Sequence, residues 1–235
     1  MSWGIPVPLS QRQLDQVAAA IAAAADPVDA LVVSDDFISG TVGAGAIGNL
    51  GWYQAGGTVS HVAGEADHPG IVRRETGTTS NTVAYTCLRS TPTTGPVSLA
   101  DAFDATWVFR LNTADANTRA RLGFSVNWSI NAPTDAIYLE KLESDTAWFG
   151  VARAASTQTR SAALGTADTD WHRLRIRRID ASTVGFTLDD GAEVTVAADV
   201  PAVAAQPGTH LVNTTTDNKT LDHDLFTLAI RGLAR

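Results

Sequence analysis

Trp171-His172-Arg173-Leu174-Arg175-Ile176-Arg177-Arg178-Ile179, Asp180-Ala181-Ser182-Thr183, Val184-Gly185-Phe186-Thr187-Leu188, Asp189-Asp190-Gly191-Ala192, Glu193-Val194-Thr195-Val196-Ala197 is the stretch that decides the fold. Side chains alternate between the two faces of a strand, so Leu174 with Ile176, Val184 with Phe186 and Leu188, and Val194 with Val196 each share a face. The Asp-Ala-Ser and Asp-Asp-Gly segments between them are turn chemistry, with Asp or Gly supplying the positive φ of a tight hairpin. Residues 171–197 therefore read as a three-strand antiparallel meander with one wholly apolar side. Such a side has to be covered by a second sheet.

Outward from that meander the period of two persists. Runs at 58–62, 82–88, 103–111, 119–127, 136–142, 147–153 and 221–230 are short, β-branched or aromatic, and separated by Gly, Pro, Asn and Asp. About a dozen strands at intervals of about 8 to 12 residues indicate a β-sandwich or barrel. No helix lies between them, which excludes a parallel βαβ sheet.

The period changes only near the start. Residues 10–26 are rich in alanine, with Ser10 as N-cap and Pro27 just past the end, and read as an α-helix. Its larger apolar residues, Leu14, Val17 and Ile21, form one narrow seam. Ahead of it, Pro6 and Pro8 hold an extended arm carrying Trp3, Ile5 and Leu9. A helix this short is marginal alone, so it docks on its own domain, on another component or on copies of itself. The expected organisation is a docking arm and oligomerisation or attachment helix at 1–30, followed by a β-sandwich at 31–235.

Composition narrows the classes. The chain has 235 residues, 44% of them apolar, which is enough for a core that needs no covalent staple. Acidic side chains outnumber basic ones 25 to 17, for a net charge of −8, so nucleic-acid binding is not expected. No apolar run reaches the roughly 20 residues of a membrane span, and the start lacks a signal-peptide pattern. The single cysteine, Cys87, alternates with Val83 and Tyr85 and reads as a small buried apolar residue.

Several segments carry a family likeness. Ser34-Asp35-Asp36-Phe37-Ile38-Ser39-Gly40, Ile47-Gly48-Asn49-Leu50-Gly51-Trp52 and Ala63-Gly64-Glu65-Ala66-Asp67-His68-Pro69-Gly70 resemble a family of tailed-bacteriophage virion structural proteins. So do Pro133-Thr134-Asp135-Ala136-Ile137-Tyr138-Leu139-Glu140-Lys141-Leu142, Trp148-Phe149-Gly150-Val151 and residues 171–187. The resemblance implies an all-β, concanavalin-like jelly-roll sandwich serving as a capsid decoration, head fibre or tail fibre. It further implies a homotrimer and contacts with other virion proteins; the solitary Cys87 fits assembly in a reducing host cytoplasm, and a host surface glycan is the partner of the adhesin alternative below. The resemblance brings no catalytic motif and no cofactor.

Candidate chemistry is sparse. Glycosidases on this fold place two carboxyl groups about one bond, and Glu140 and Glu143, three apart, would leave a regular strand on opposite faces. No catalytic residue is assigned, and a polysaccharide-degrading enzyme is the last of three alternatives. The histidines at 61, 68, 172, 210 and 223 lack metal-site spacing, and Asp222-His223-Asp224 with Asp217-Asn218 reads as edge polarity, so no metal is assigned. Arg173, Arg175 and Arg177 form a basic stripe: either a groove for acidic glycans or an acidic neighbour, or a solvated face paired with local Asp and Glu. Trp107 and Trp148 read as core. Trp52, Tyr53 and Trp128, beside Gly, Asn or Pro, read as an exposed patch able to stack on sugar. A glycan-binding host-receptor adhesin is therefore the second alternative.

Overall fold

The structure is a computed structural model that describes residues 30–38, 47–88 and 95–231. The expected arm and helix, with Trp3, Ile5, Leu9, Leu14, Val17 and Ile21, lie outside the described residues. In chain order the strands are β1 (Ala30–Asp35), β2 (Tyr53–Ala55), β3 (Thr58–Val62), β4 (Ile71–Glu75), β5 (Val83–Cys87) and β6 (Val97–Ser98). They continue with β7 (Ala102–Leu111), β8 (Thr118–Ser125), β9 (Ala136–Lys141), β10 (Ala147–Ala154) and β11 (Thr157–Thr166). The last five are β12 (His172–Arg178), β13 (Val184–Leu188), β14 (Val194–Val196), β15 (Ala204–Asn213) and β16 (Thr220–Arg231).

The meander forms as its alternation requires. Leu174 pairs with Leu188, Ile176 with Phe186, and Val184 with both Arg178 and Val196. Leu174, Ile176, Val184, Phe186 and Leu188 are all buried. Its second turn is type I′, with Asp189 and Asp190 at φ 52° and 59° and Gly191 N–H donating to the Leu188 carbonyl at 2.9 Å.

The meander is one end of the first sheet, ordered β14-β13-β12-β7-β16-β4-β3, with β1 also paired to β16. The second sheet runs β11-β10-β9-β8-β15-β5-β2, with β6 on β15. Among the described residues the strand pairings of both sheets are antiparallel. The sheets pack face to face around Trp107, Phe109, Phe124, Trp148, Phe186 and Phe226. Gly150 permits their close approach, since a Cβ there would lie 2.4 Å from the Phe186 ring. A core of this composition supplies the main stabilisation, at roughly 25 cal/mol per Å² of apolar surface removed from water.

The two outer faces differ. On the first sheet, Arg173 and Arg175 stand exposed between buried Leu174 and Ile176. On the second sheet β8 and β9 are buried on both faces. The connection at 126–135 folds back over them, and that cover defines the site.

Candidate functional site

The outer face of the second sheet carries two neighbouring cross-strand rows. In one, Phe149, Glu140, Arg121, His210 and Tyr85 stand side by side on β10, β9, β8, β15 and β5. In the next, two residues along, come Val151, Tyr138, Gly123, Gly208, Cys87 and Tyr53. Alternation explains the placement: Leu122, Phe124, Ile137 and Leu139 face the core, so the residues between them must face outward.

Trp128 fills the gap left by the glycines. A Cβ at Gly208 would lie 2.6 Å from Trp128 Nε1. The ring packs in a cluster with Cys87, Ala136, Tyr138 and Val151, and its N–H donates to the Gln206 carbonyl at 3.0 Å. Beyond it, Arg121 Nη1 donates to the Asn131 carbonyl. The tip of the connection, residues 129–132, is exposed.

Under this cover the charges are balanced in pairs. Arg121 donates to Glu140 Oε2 at 2.7 Å, Arg160 to Asp145, and Arg119 to Glu143. Arg160 also stacks 3.8 Å over the half-buried Phe149 ring. Its guanidinium and the Leu142 N–H hold the Asp145 carboxyl below its ordinary range despite burial. Burial pushes the Tyr138 phenol up to about 12 and the His210 imidazole far down, with Arg121 and Arg119 adding to the second effect.

Hydrogen bonding is incomplete at the centre. Tyr138 Oη, Glu140 Oε1 and both ring nitrogens of His210 are buried without a hydrogen-bond partner. Their residues are 0%, 0% and 1% exposed. More than nine-tenths of buried polar groups in folded proteins are paired, and each orphan costs about 1–3 kcal/mol. Four such atoms on adjacent rows form a set of donors and acceptors suited to hydroxyl groups.

The structure corrects several expectations. Trp52 is 3% exposed, not a surface platform: its N–H donates to Asp35 at 3.1 Å, and it meets Phe226 edge-on at 4.9 Å. Asp35 also accepts from the N–H groups of Phe37 and Leu50, so its carboxylate organises this whole corner. Trp128, 2% exposed, is the buried plug described above. Only Tyr53 of that trio is half-buried, tilted against Tyr85 with ring centres 6.3 Å apart. Glu140 and Glu143 do reach one face, because β9 ends at Lys141 and Glu143 turns back to Arg119, two residues from Arg121.

Arg173, Arg175 and Arg177 lie on the opposite side of the sandwich. They line a groove of about 570 Å³ with Thr106, Thr187, Asp190 and Glu193. Arg175 forms a bidentate pair with Asp104 and Arg177 with Glu193, while Arg173 stands 3.6 Å from Asp190. Local carboxylates thus neutralise the stripe. Asp222 accepts from Arg73 and Arg110, and Asp224 faces His68 at 2.9 Å, which stacks on Trp171 at 4.1 Å. No group of three or more metal-ligating side chains with the geometry of an ion site occurs among the described residues.

Tyr138, His210 and Arg121 were missed at the level of sequence. Polar residues at even spacing inside otherwise apolar strands, as in Arg119/Arg121 and Tyr138/Glu140, were the available signal. Pro207 hid β15, and His210 with it.

The model of the family described as SO2946-like, C-terminal domain, matches residues 67–226. No curated protein sequence matches the chain. The crystal structure of protein SO2946 from Shewanella oneidensis MR-1 is similar with a TM-score of 0.64 and 16% identity, over 99% of this chain and 100% of that one. The carbohydrate recognition domain of Emp47p gives 0.57 and 11%, over 86% and 95%. A Bacillus licheniformis β-glucanase gives 0.53 and 11%, over 86% and 98%. The fold is that of these concanavalin-like jelly rolls.

Proposed function

The chain belongs to the SO2946-like C-terminal domain family, and from that premise we propose that it is a non-enzymatic, lectin-like module that binds glycan on the outer face of its second sheet. The observation that carries this is the group of orphaned polar atoms on Tyr138, Glu140 and His210, flanked by the half-buried rings of Tyr85, Tyr53 and Phe149. Sugar hydroxyls donate and accept, as do a phenol and a neutral imidazole, and sugar rings stack on aromatic ones. The lectin and glucanase likenesses are of fold and support a sugar ligand as analogy.

A binding role is favoured over hydrolysis by the state of the acids. A glycosidase needs one carboxyl that keeps its proton to give to the leaving group. Here Asp145 is held low by Arg160, and Glu140 and Glu143 each commit an oxygen to a guanidinium.

Calorimetric titration with gluco-, manno- and galacto-oligosaccharides tests the proposal. One class binds the wild type, and Tyr138→Phe weakens it at least about ten-fold while leaving the far-UV spectrum unchanged. Failure of every sugar to bind, or equal binding by Tyr138→Phe, overturns it.

The setting we propose for the module rests on the resemblance of its sequence to tailed-phage virion proteins. In that setting residues 1–30 attach or trimerise the chain on a particle assembled in the host cytoplasm, and the sandwich faces outward. Peptide mass spectrometry of purified particles tests it: recovery in the particle fraction supports it, and recovery only among unassembled proteins overturns it.

A further inference from the structure

We propose that the segment 126–135 is a lid, and that opening it admits the hydroxyls of a neutral sugar to the row beneath. This deepens the glycan reading and rests on it. The lid's attachments are few. Its ends meet where Val126 N–H donates to the Asp135 carbonyl at 3.1 Å. Its middle is held by the Trp128 N–H to Gln206 and by Asn131 accepting from Arg121. Its C-terminal end is anchored to the β10–β11 turn, where the Thr134 carbonyl accepts from Ser156 N–H at 2.8 Å and Asp135 Oδ1 from Ala155 N–H at 3.1 Å. The part free to swing is therefore 127–133, whose other side-chain bonds are internal or adjacent, with Asn127 accepting from Ser129 and Ser125 bonding Asn127. Ile130 at its tip is 41% exposed. Segments with few buried contacts open with a small fraction of the global unfolding free energy.

What lies beneath gives the lid a purpose. Orphaned atoms at Tyr138, Glu140 and His210 are all at least nine-tenths buried, and Trp128 belongs to the same apolar cluster as Tyr138. With the lid displaced, a ligand reaches a phenol and two imidazole nitrogens without a hydrogen-bond partner in the protein, beside a carboxylate oxygen of Glu140 whose nearest cation, Arg160 Nε, stands 3.6 Å away. The ligand class follows from charge. Arg121 is matched by Glu140 and Arg160 by Asp145, so an anionic sugar gains no net attraction there, while an uncharged polyol satisfies donors and acceptors together.

The protein contains its own probe of this motion. Cys87, the single cysteine of the chain, is fully buried beside Trp128 and Tyr138 and is not in a disulfide. A thiol reagent therefore reads the opening of the lid in the full-length protein. Under native conditions Cys87 labels faster than the chain unfolds, and the rate barely responds to low urea. Trp128→Phe, which removes the bond to Gln206 and keeps a ring in place, labels about two- to ten-fold faster. A saturating neutral oligosaccharide slows labelling, whereas oligogalacturonate at equal concentration does not. Labelling that tracks global unfolding overturns the lid whatever binds. Sugar binding that leaves labelling unchanged overturns the lid and spares the glycan reading, while failure of every sugar to bind overturns that reading.

Discussion

Two histidines show most plainly what burial does to a single residue. His223, between Asp222 and Asp224 in β16, points into the sandwich, and desolvation with the nearby Arg74 charge pushes its imidazole down to about 3. His210 is depressed for the same reason on the outer face. Both bases are neutral in the fold and take up a proton near pH 6.5 when unfolded, so the unfolded state binds more protons below that pH. Stability is fullest well above pH 6.5 and falls as pH drops below it, the slope approaching about 1.4 kcal/mol per pH unit for each histidine while its folded form stays neutral, which for His223 is down to about pH 3. Urea unfolding at pH 7.5, 6.0 and 5.0 checks this, with a small loss down to pH 6.5 that steepens below it to about 2–3 kcal/mol per unit for the two histidines together. His210→Gln halves that slope, and an unchanged slope in this variant refutes the assignment. Arg74 is the counterpart cation, fully buried, lowered to about 9 by desolvation, and bonded to the Ala55 and Gly56 carbonyls rather than to a carboxylate.

At the scale of elements, the hairpin between β13 and β14 separates two roles that sequence alone merges. Asp189 and Asp190 both occupy the left-handed region, which costs a non-glycine residue of order 1 kcal/mol. Asp189 offsets that cost by accepting from the Arg173 N–H at 2.8 Å and facing His172 Nδ1 at 2.7 Å. Asp190, 79% exposed, has only the distant Arg173. Asp190→Gly accordingly stabilises by about 0.5–1 kcal/mol, and Asp189→Gly destabilises by about 1–2 kcal/mol. Thermal melts of the two variants moving in the same direction would contradict this division. Element ends also explain the Glu140 and Glu143 pair: strict alternation applies only within a strand, and β9 stops between them. The exposed ion pairs of β12 contribute little by comparison, at most about 1 kcal/mol each.

For the whole molecule, the described residues form one sandwich whose two outer faces are unequal. One carries a neutralised groove, and the other is roofed by 126–135. Under the proposed setting, copies assemble through the segment before β1. Light scattering of the full-length chain at micromolar concentration gives three times the mass of the chain, and removal of residues 1–30 gives a folded monomer. A full-length monomer, or a trimer that survives the deletion, argues against attachment through that segment.

The sequence by itself determined the class of fold, because alternation and turn chemistry are local: the meander, its apolar side and the need for a second sheet follow from residues 171–197. It also placed Trp107, Trp148 and Cys87 inside and the three arginines outside, since each lies in a regular strand with apolar neighbours. The burial of Trp52 and Trp128, and the places where polar side chains meet, belong to the three-dimensional packing alone. Trp52 and Trp128 follow turns, where alternation gives no orientation, and each is drawn inside by a partner far along the chain, Asp35 and the Gln206 carbonyl. The row of Glu140, Arg121 and His210 joins three strands whose adjacency is a matter of sheet order, which no local period encodes.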